Sequence, residues 1–175
     1  MSKFSIIDVE TTGLDASSQR IIEIGIIKVE NDHVVERYQQ LVNPERPIPY
    51  FIEQHTGISS DMLQDAPTFS QIVDKVQELL AGGIFVAHNA SFDYSFIQSE
   101  YQREGLSYLA PRLCTVRLSR RLFPAYRHHG LDSIIRRFNI ACPSRHRALD
   151  DAEVVWEFLK IINAKLPVPI EQLTY

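Results

Sequence analysis

Apolar runs near the N-terminus predict three consecutive β-strands. Residues 3 to 9, 20 to 30 and 33 to 42 are rich in Ile, Val and other strand-forming residues, and Asn31-Asp32 separates the second run from the third. Because such short turns join neighbouring antiparallel strands, we expect these three segments to form an antiparallel meander. Prolines follow the third run, and strand structure is expected to end there.

The first of these strands carries acids on a face that is otherwise apolar. With the two-residue repeat of a strand, Ile7 and Val9 point to one face, and the other face carries Phe4, Ile6, Asp8 and Glu10. Both faces are apolar before the acids begin, which is typical of a central strand covered on two sides. Carboxylates in such a place persist when they are protonated, paired with bases or bound to metal.

The rest of the chain alternates helical and strand patterns. Apolar residues at helical spacing make the last helix amphipathic, at Leu149, Ala152, Val155, Trp156, Leu159 and Ile162. The other predicted elements are a helix over 68 to 81 capped by Thr68, a strand over 84 to 87, a helix over 91 to 104 capped by Asn89 or Ser91, a strand near 112 to 115, and helices over 115 to 123 and 131 to 138. This order predicts an α/β fold, with a mixed five-stranded sheet and helices on both of its faces.

Three short segments carry the candidate chemistry. They are Asp8-Val9-Glu10-Thr11-Thr12-Gly13-Leu14, His88-Asn89-Ala90-Ser91-Phe92-Asp93 and His146-Arg147-Ala148-Leu149-Asp150-Asp151. Each has an ordinary explanation by itself: a strand end that turns into solvent, an acid that complements a helix dipole, and a surface or capping histidine. Together they place four or five carboxylates and a histidine in order along the chain. That combination favours a two-metal phosphodiesterase site.

The chemistry explains why these residue types occur together. Hydrolysis of a phosphodiester needs an activated water, neutralised phosphoryl oxygens and a stabilised leaving oxyanion, and two divalent cations about 3.5 to 4 Å apart supply all three. Carboxylate oxygens suit Mg²⁺ or Mn²⁺. His146 titrates near neutral pH, which makes it the candidate general base. Cys114 and Cys142 lack the paired spacing of a zinc site.

These motifs resemble the DEDDh, or DnaQ-like, 3′-5′ exonucleases, a family that includes the proofreading epsilon subunit of bacterial replicative polymerase. The family pattern D-x-E-T-T-G-L is matched at residues 8 to 14, H-N-A-x-F-D at 88 to 93, and H-x-x-x-x-D at 146 to 151. The resemblance spans nearly the whole chain, from Phe4 to about Ile162, and it implies a ribonuclease H-like fold.

The resemblance also implies the roles of the acids. It assigns His146 as the base and gives the set that binds two Mg²⁺ or Mn²⁺ ions as Asp8, Glu10, Asp93 and Asp151. Asp150 remains an alternative to Asp151, because a residue four positions after His146 on a helix would lie beside it.

The same resemblance indicates which residues hold the 3′ end of a nucleic acid. Thr11 resembles the segment that contacts the terminal 3′-hydroxyl, and Leu14 resembles an apolar wedge beneath the last bases. Phe92 is placed to stack on the penultimate nucleotide, and His55 and Thr56 resemble a loop that closes over the terminal base. The alternative is that Leu14 and Phe92 belong to the core and that Gly57 only marks a turn.

Length and composition agree with one domain. With 175 residues the chain can form one core, and we expect an exonuclease domain over 1 to 165 and a tail or linker over 166 to 175. The first residues lack a secretory signal, and no segment is as long and apolar as a membrane span, so we expect a cytoplasmic protein without a membrane partner. Two cysteines agree with a reducing compartment. Related domains are also fused to polymerases or other nucleases, so the chain is either complete or part of a longer protein.

The net charge of −4 is unevenly distributed along the sequence. Residues 112 to 147 contain nine arginines and one acid, which gives this segment +8 and leaves −12 for the rest. We expect some of these arginines to contact phosphates, with a solvated helix face as the alternative. Residues 126 to 130 are expected to form a mobile loop near the site.

The sequence thus predicts a metal-dependent 3′-5′ exonuclease that releases nucleoside 5′-monophosphates from DNA, in proofreading or repair. Its expected partner is a nucleic acid with a free 3′ end, with single-stranded DNA favoured and RNA possible, and a polymerase or a fused nuclease domain is a further expected partner. Two alternatives stay open. One is an exoribonuclease for RNA or short oligonucleotides with the same chemistry, and the other is a binding module for nucleic acid or a protein partner that has lost catalysis.

Overall fold

The computed structural model describes residues 3–163 and 170–174. Its strands are β1 (Lys3–Thr11), β2 (Ile21–Glu30), β3 (His33–Leu41), β4 (Ile84–Ala87) and β5 (Arg112–Cys114). The first three form the predicted antiparallel meander, and Asn31 and Asp32 adopt positive φ angles in the turn between β2 and β3. β4 pairs in parallel with β1, and β5 pairs in parallel with β4, which gives the order β3-β2-β1-β4-β5. The acid-bearing strand is therefore central, as predicted.

Helices cover both faces of this sheet. In the described part of the chain they are α1 (Tyr50–Thr56), α2 (Ser60–Gln64), α3 (Phe69–Leu80), α4 (Ala90–Arg103), α5 (Thr115–Leu122), α6 (Leu131–Phe138) and α7 (Ala148–Asn163), followed by a 3₁₀ turn over Ile170–Leu173. The predicted helices agree with α3 to α7 within a few residues. The predicted side-chain cap of α4 is wrong, because Asn89 makes no capping bond and lies at φ 78°, and Ser91 lies inside the helix.

The two faces of β1 belong to two separate hydrophobic clusters. Ile7 and Val9 pack in the cluster that includes residues of α3 and α4, and Phe4 and Ile6 pack in the cluster built on α7. The alternation that the sequence shows in β1 thus places one layer of helices on each side of the sheet. This confirms the predicted architecture and fixes the direction in which Asp8 and Glu10 point.

The segment between β3 and α3 was not predicted correctly. His55 and Thr56, which were expected in a loop, lie at the end of α1, and α2 follows after Gly57. These two helices have seven and five residues. A helical period is read over a window of 11 or more residues, so helices this short leave little signal in the sequence. They are held by a third small cluster, which contains Ile22, Ile48, Ile52, Ile58 and Leu63.

The C-terminal region is described only in part. The predicted domain boundary at residue 165 and most of the predicted linker fall outside the described residues. Leu173 is partly buried against the cluster on α7. Among the helices of residues 3–163 and 170–174, none has the length and apolarity needed to cross a membrane.

Candidate active site

The parallel pairing of β1 and β4 brings the first two motifs together. Phe4 pairs with Ile84 and Ile6 with Val86, so both strands run toward the same edge of the sheet. Asp8 and Glu10 lie near the end of β1, and Asp93 lies in the first turn of α4, just after β4. The backbone N–H of Val9 donates to Asp93 Oδ1 at 3.2 Å, which fixes this carboxylate beside the first acidic pair.

The third motif reaches the same edge because β2 holds the start of α7. Gly25 pairs with Asp8 across the sheet, and α7 crosses directly over this glycine. A Cβ atom at Gly25 would lie 2.4 Å from backbone atoms of Ala148 and Leu149, so only glycine lets the helix approach this closely.

A buried glutamate on β2 completes this attachment. Glu23 pairs with Glu10 in the sheet and is fully buried. Its carboxylate accepts hydrogen bonds from Arg147 at 2.7 and 3.1 Å and from the backbone N–H of Ala148 at 2.9 Å. A carboxylate at this position satisfies a free N–H of the first helical turn and complements the helix dipole. Glu23 therefore orients the motif, and sequence reasoning missed it because it lies on β2 outside the three motifs.

These attachments bring together a compact group of side chains that carry potential metal-ligand atoms. One ligand atom each from Glu10, His146 and Asp151 lies within 4.8 Å of the others. Asp151 is 4% exposed and takes part in this group, whereas Asp150 does not. The structure thus favours Asp151, which the family spacing indicated, over the alternative at Asp150.

Burial raises the pKa values of all four motif acids, and repulsion by neighbouring acids adds to this effect at Asp8, Glu10 and Asp93. The pKa of Asp8 is well above its usual range, because the group is desolvated and faces Asp93, Asp151 and Glu10. Desolvation is also the main cause that raises the pKa of Glu10 and of Asp93 to about 8. Such a cluster favours cations, since two divalent ions offset the charge that four ionised carboxylates would carry. The donor set, rich in carboxylate oxygens, therefore fits Mg²⁺ or Mn²⁺.

A basic residue that the motifs do not include lies against Asp151. The Arg145 guanidinium contacts Asp151 Oδ2 and also donates to Asp132 Oδ1 at 2.7 Å. It opposes the effect of burial on the pKa of Asp151, which is raised overall. Cys142 Sγ lies 3.8 Å from Asp151 Oδ1. The strongest signal for Arg145 in the sequence is only its position next to His146.

His146 is held in an uncommon backbone conformation. Its φ angle is 63°, and its backbone N–H donates to Asp151 Oδ2 at 3.3 Å. Its ring lies against that of His55, with 3.8 Å between the ring centroids. Burial, Arg145 and His55 lower the pKa of His146, so the imidazole is neutral at neutral pH and able to accept a proton.

Beside this group opens a cavity of about 510 Å³, lined mainly by apolar side chains. All five residues that the resemblance linked to the substrate line it together with Glu10: Thr11, Leu14, His55, Thr56 and Phe92. Leu14 is 87% exposed, so the alternative of a core leucine is wrong. Phe92 is partly buried against the cluster on α3 and α4 and also faces the cavity. Phe51, 65% exposed, was missed, because nothing in the sequence separates it from other aromatic residues.

Several arginines of residues 112–147 have structural partners. Arg112 and Arg137 lie 4.6 and 3.7 Å from the ring centroids of Tyr94 and Tyr126, Arg145 pairs with acids, and Arg147 pairs with Glu23. The loop over 126 to 130 is anchored by His129, a buried residue whose ring nitrogens contact Ser119 Oγ and the carbonyl oxygen of Tyr126. The charge of this segment is thus shared between structural and exposed arginines.

Known proteins resemble the chain in both sequence and structure. The PolC-type DNA polymerase III of Caldanaerobacter subterraneus is 36% identical over 173 residues, and the 3′-5′ exonuclease DinG of Bacillus subtilis is 38% identical over 172 residues. These alignments cover 98% and 95% of this chain but only 12% and 18% of the two relatives. The chain therefore spans a small part of the length of these proteins.

Solved structures agree with this comparison. Exonuclease X in complex with 5′ overhanging duplex DNA superposes with a TM-score of 0.80 at 26% identity, covering 97% of this chain and 96% of that one. The nuclease domain of 3′hExo, a DEDDh family member bound to rAMP, shares the fold with a TM-score of 0.80 at 19% identity over 94% of this chain and 92% of that one.

The match to a protein family covers most of the domain. The model of the RNase T exonuclease family matches residues 5–159, a range that contains all three motifs. The resemblance to DEDDh enzymes and the ribonuclease H-like fold are confirmed. The chain belongs to the RNase T exonuclease family of DEDDh nucleases.

Proposed function

We propose that this chain is a metal-dependent 3′-5′ exonuclease that releases nucleoside 5′-monophosphates from the 3′ end of DNA. The observation that carries this proposal is the cavity of about 510 Å³, which ends at the group formed by Glu10, His146 and Asp151. An open, mainly apolar pocket beside a catalytic group suits one terminal nucleoside, because the next phosphodiester then lies at the carboxylates. Such a pocket would direct cleavage to the last phosphodiester at the 3′ end of the strand.

The carboxylates have the role of holding the cations in the proposed mechanism. Two Mg²⁺ or Mn²⁺ ions, bound by Asp8, Glu10, Asp93 and Asp151, would supply the Lewis acidity that activates water and stabilises charge on the phosphoryl oxygens. Asp93 is prepared for this by its bond to the Val9 N–H, and Asp151 by the backbone N–H of His146. The Arg145 guanidinium must leave Asp151 Oδ2 when a cation binds there, and Asp132 retains it nearby.

His146 is proposed as the general base and not as a cation ligand. Its lowered pKa keeps the ring neutral, and its ring contact with His55 joins the base to the wall of the nucleoside cavity. Hard cations prefer oxygen ligands, which the four acids supply. Thr11, Leu14, His55, Thr56 and Phe92 then bind and orient the terminal nucleoside.

The names of the relatives favour DNA as the substrate. Two sequence relatives are a PolC-type DNA polymerase III and a 3′-5′ exonuclease, and Exonuclease X was solved with DNA. Because the chain covers a small part of these polymerases, we propose that it acts beside a polymerase or another nuclease domain, in proofreading or repair. The two cysteines are free thiols, which fits the cytoplasmic location that the sequence predicts.

A cleavage assay tests the proposal directly. The chain is incubated with 5′-labelled single-stranded DNA and with RNA of the same sequence, each with Mg²⁺, with Mn²⁺ and with chelator, and Asp8→Ala serves as the control. The expected result is a DNA ladder that shortens from the 3′ end and is lost with chelator and in the control. Faster cleavage of RNA would favour the exoribonuclease alternative, and no cleavage of either strand would favour a binding module.

The role of His146 requires a separate measurement. In His146→Ala, turnover should fall by about 10²- to 10⁴-fold, since a general base is removed. Mn²⁺ affinity measured by calorimetry should stay near that of the unmodified chain. A large loss of Mn²⁺ affinity would instead make His146 a ligand.

A further inference from the structure

A second cavity lies on the other side of the start of α4. It has a volume of about 520 Å³, and its polar and basic side chains lie beside the apolar surface of Cys114 and Val116. We call it the basic groove and define it by His88, Asn89, Ser91, Arg117, Arg120 and His129. Arg117 and Arg120 come from α5, so the groove separates that helix from the segment that leads into α4.

One short segment connects the basic groove with the nucleoside cavity. Ser91 lines the groove, and the next residue, Phe92, lines the nucleoside cavity. Asp93, which follows, belongs to the acidic cluster. The nucleoside cavity, the acids and the groove thus meet along residues 88–93.

The walls of the groove are fixed by hydrogen bonds. His88 Nδ1 lies 2.9 Å from Thr115 Oγ1, and the ring of His129 is held by Ser119 and the Tyr126 carbonyl. Burial lowers the pKa of His88 to about 4, against the opposite effect of a backbone hydrogen bond with His129, so its ring is neutral and held in place. A rigid wall that carries polar side chains is suited to a polar ligand.

Arg120 supplies charge that the fold does not use. It is exposed, and within residues 3–163 and 170–174 its guanidinium makes no hydrogen bond or ion pair. The neighbouring Arg121 is also exposed, but it lines a different cavity together with Leu173 and Thr174. Two adjacent arginines of equal charge on one helix therefore face different surroundings.

We infer that the basic groove binds a backbone phosphate of the substrate strand on the 5′ side of the scissile linkage, and that Arg120 is its main cationic contact. This inference rests on the proposed function, because the position of the groove has meaning only if the terminal nucleoside occupies the neighbouring cavity. A strand that leaves the cavity over Phe92 passes Ser91 and enters the groove. Arginine binds phosphate oxygens through several N–H donors in a fixed geometry, and the neutral His88 and the Ser91 hydroxyl add polar contacts.

The test compares Arg120→Gln with Arg121→Gln, two variants on the same helix with the same change in charge. Binding of labelled single-stranded dT8 and competition by thymidine 5′-monophosphate are measured by fluorescence anisotropy on the whole chain with Ca²⁺. Arg120→Gln should weaken dT8 binding about tenfold and reduce the slope of log Kd against log salt by about 0.7, the value for one phosphate on a single strand. Arg120→Lys should recover part of the affinity.

The controls separate this inference from a general effect of charge. Arg121→Gln should change dT8 affinity by less than about twofold, and the affinity of thymidine 5′-monophosphate, which does not reach the groove, should be similar in all variants. Equal losses for Arg120→Gln and Arg121→Gln, or a loss of mononucleotide affinity in Arg120→Gln alone, would overturn the inference. Failure of the proposed function would instead appear as an absence of Mg²⁺-dependent cleavage of dT8 by the unmodified chain, independently of the binding ratios.

Discussion

The acidic cluster and the arginine-rich segment over 112–147 reach their final arrangements in opposite ways. The acids lie far apart in the sequence and meet at one edge of the sheet, whereas the arginines are close in sequence and disperse over several surfaces. The cause is topology: the ends of parallel strands meet, while successive residues of a helix point in different directions. Charge that is concentrated in a sequence segment is therefore weaker evidence for a site than acids placed at strand ends.

The largest expected effect tests which acid belongs to the cluster. Asp151→Asn should lower kcat/KM by at least about 10³-fold, because the buried carboxylate proposed to hold a cation is lost, and Asp150→Asn should change it by only a few-fold. Cleavage of 5′-labelled single-stranded DNA with Mg²⁺ measures both variants. A larger loss in Asp150→Asn would reverse the assignment.

The next test asks how far activity depends on the placement of His146 and Asp151 when both side chains are kept. Gly25→Ala should push the start of α7 away from β2, because the new Cβ would lie 2.4 Å from its backbone. We expect about a 10²-fold loss of kcat/KM from misplacement of His146 and Asp151, and a loss of about 1 to 3 kcal/mol in the free energy of unfolding.

Urea unfolding and steady-state kinetics measure the two effects of Gly25→Ala. Gly82→Ala serves as the matched control for a loss of stability away from the site, because alanine at φ 68° strains the backbone, while the open space around this glycine leaves the packing of α7 unchanged. Kinetics in Gly25→Ala equal to those of the control would show that α7 can reach the cluster without this close approach.

A smaller effect tests the repulsion within the acidic cluster. Glu10 and Asp93 have pKa values raised to about 8, so the stability they contribute is fully present below their unfolded pKa near about 4 and is lost as the pH rises through about 8. Cations need the ionised carboxylates and offset this loss. Mn²⁺ should therefore raise the melting temperature more at about pH 8.5 than at about pH 6. An equal shift at both pH values in thermal scans would contradict the raised pKa values.

The smallest expected effect concerns the dispersed arginines. Arg137 lies over the Tyr126 ring and donates to the His128 carbonyl oxygen at 2.7 Å. Arg137→Gln should lower the free energy of unfolding by about 1 kcal/mol and leave the Kd for single-stranded DNA within about twofold. Chemical denaturation and anisotropy measure the two quantities. A tenfold loss of DNA affinity would show that this arginine, too, belongs to the nucleic-acid surface.

Local sequence patterns were enough to predict the central strand, the meander, most of the helices and the residues of the three motifs. These features depend on local information: the two-residue and helical periods of apolar side chains, turn residues, and acids placed where strands end. The same information left Asp150 and Asp151 as alternatives. It gave no role to Glu23, Gly25 or Phe51, and it did not predict the ring contact between His55 and His146.

These points became visible in the fold, because each depends on a distance between segments that are far apart in the chain. Asp151 and not Asp150 lies beside Glu10 and His146, because contacts of Gly25 and Glu23 on β2 hold the start of α7 in one orientation. Arg120 and Arg121 are equivalent in the sequence, and they differ only because packing of α5 turns one of them toward the basic groove. The spacing of apolar residues in the sequence determines which face of a helix or strand is buried, and the packing of helices and strands determines which side chains meet.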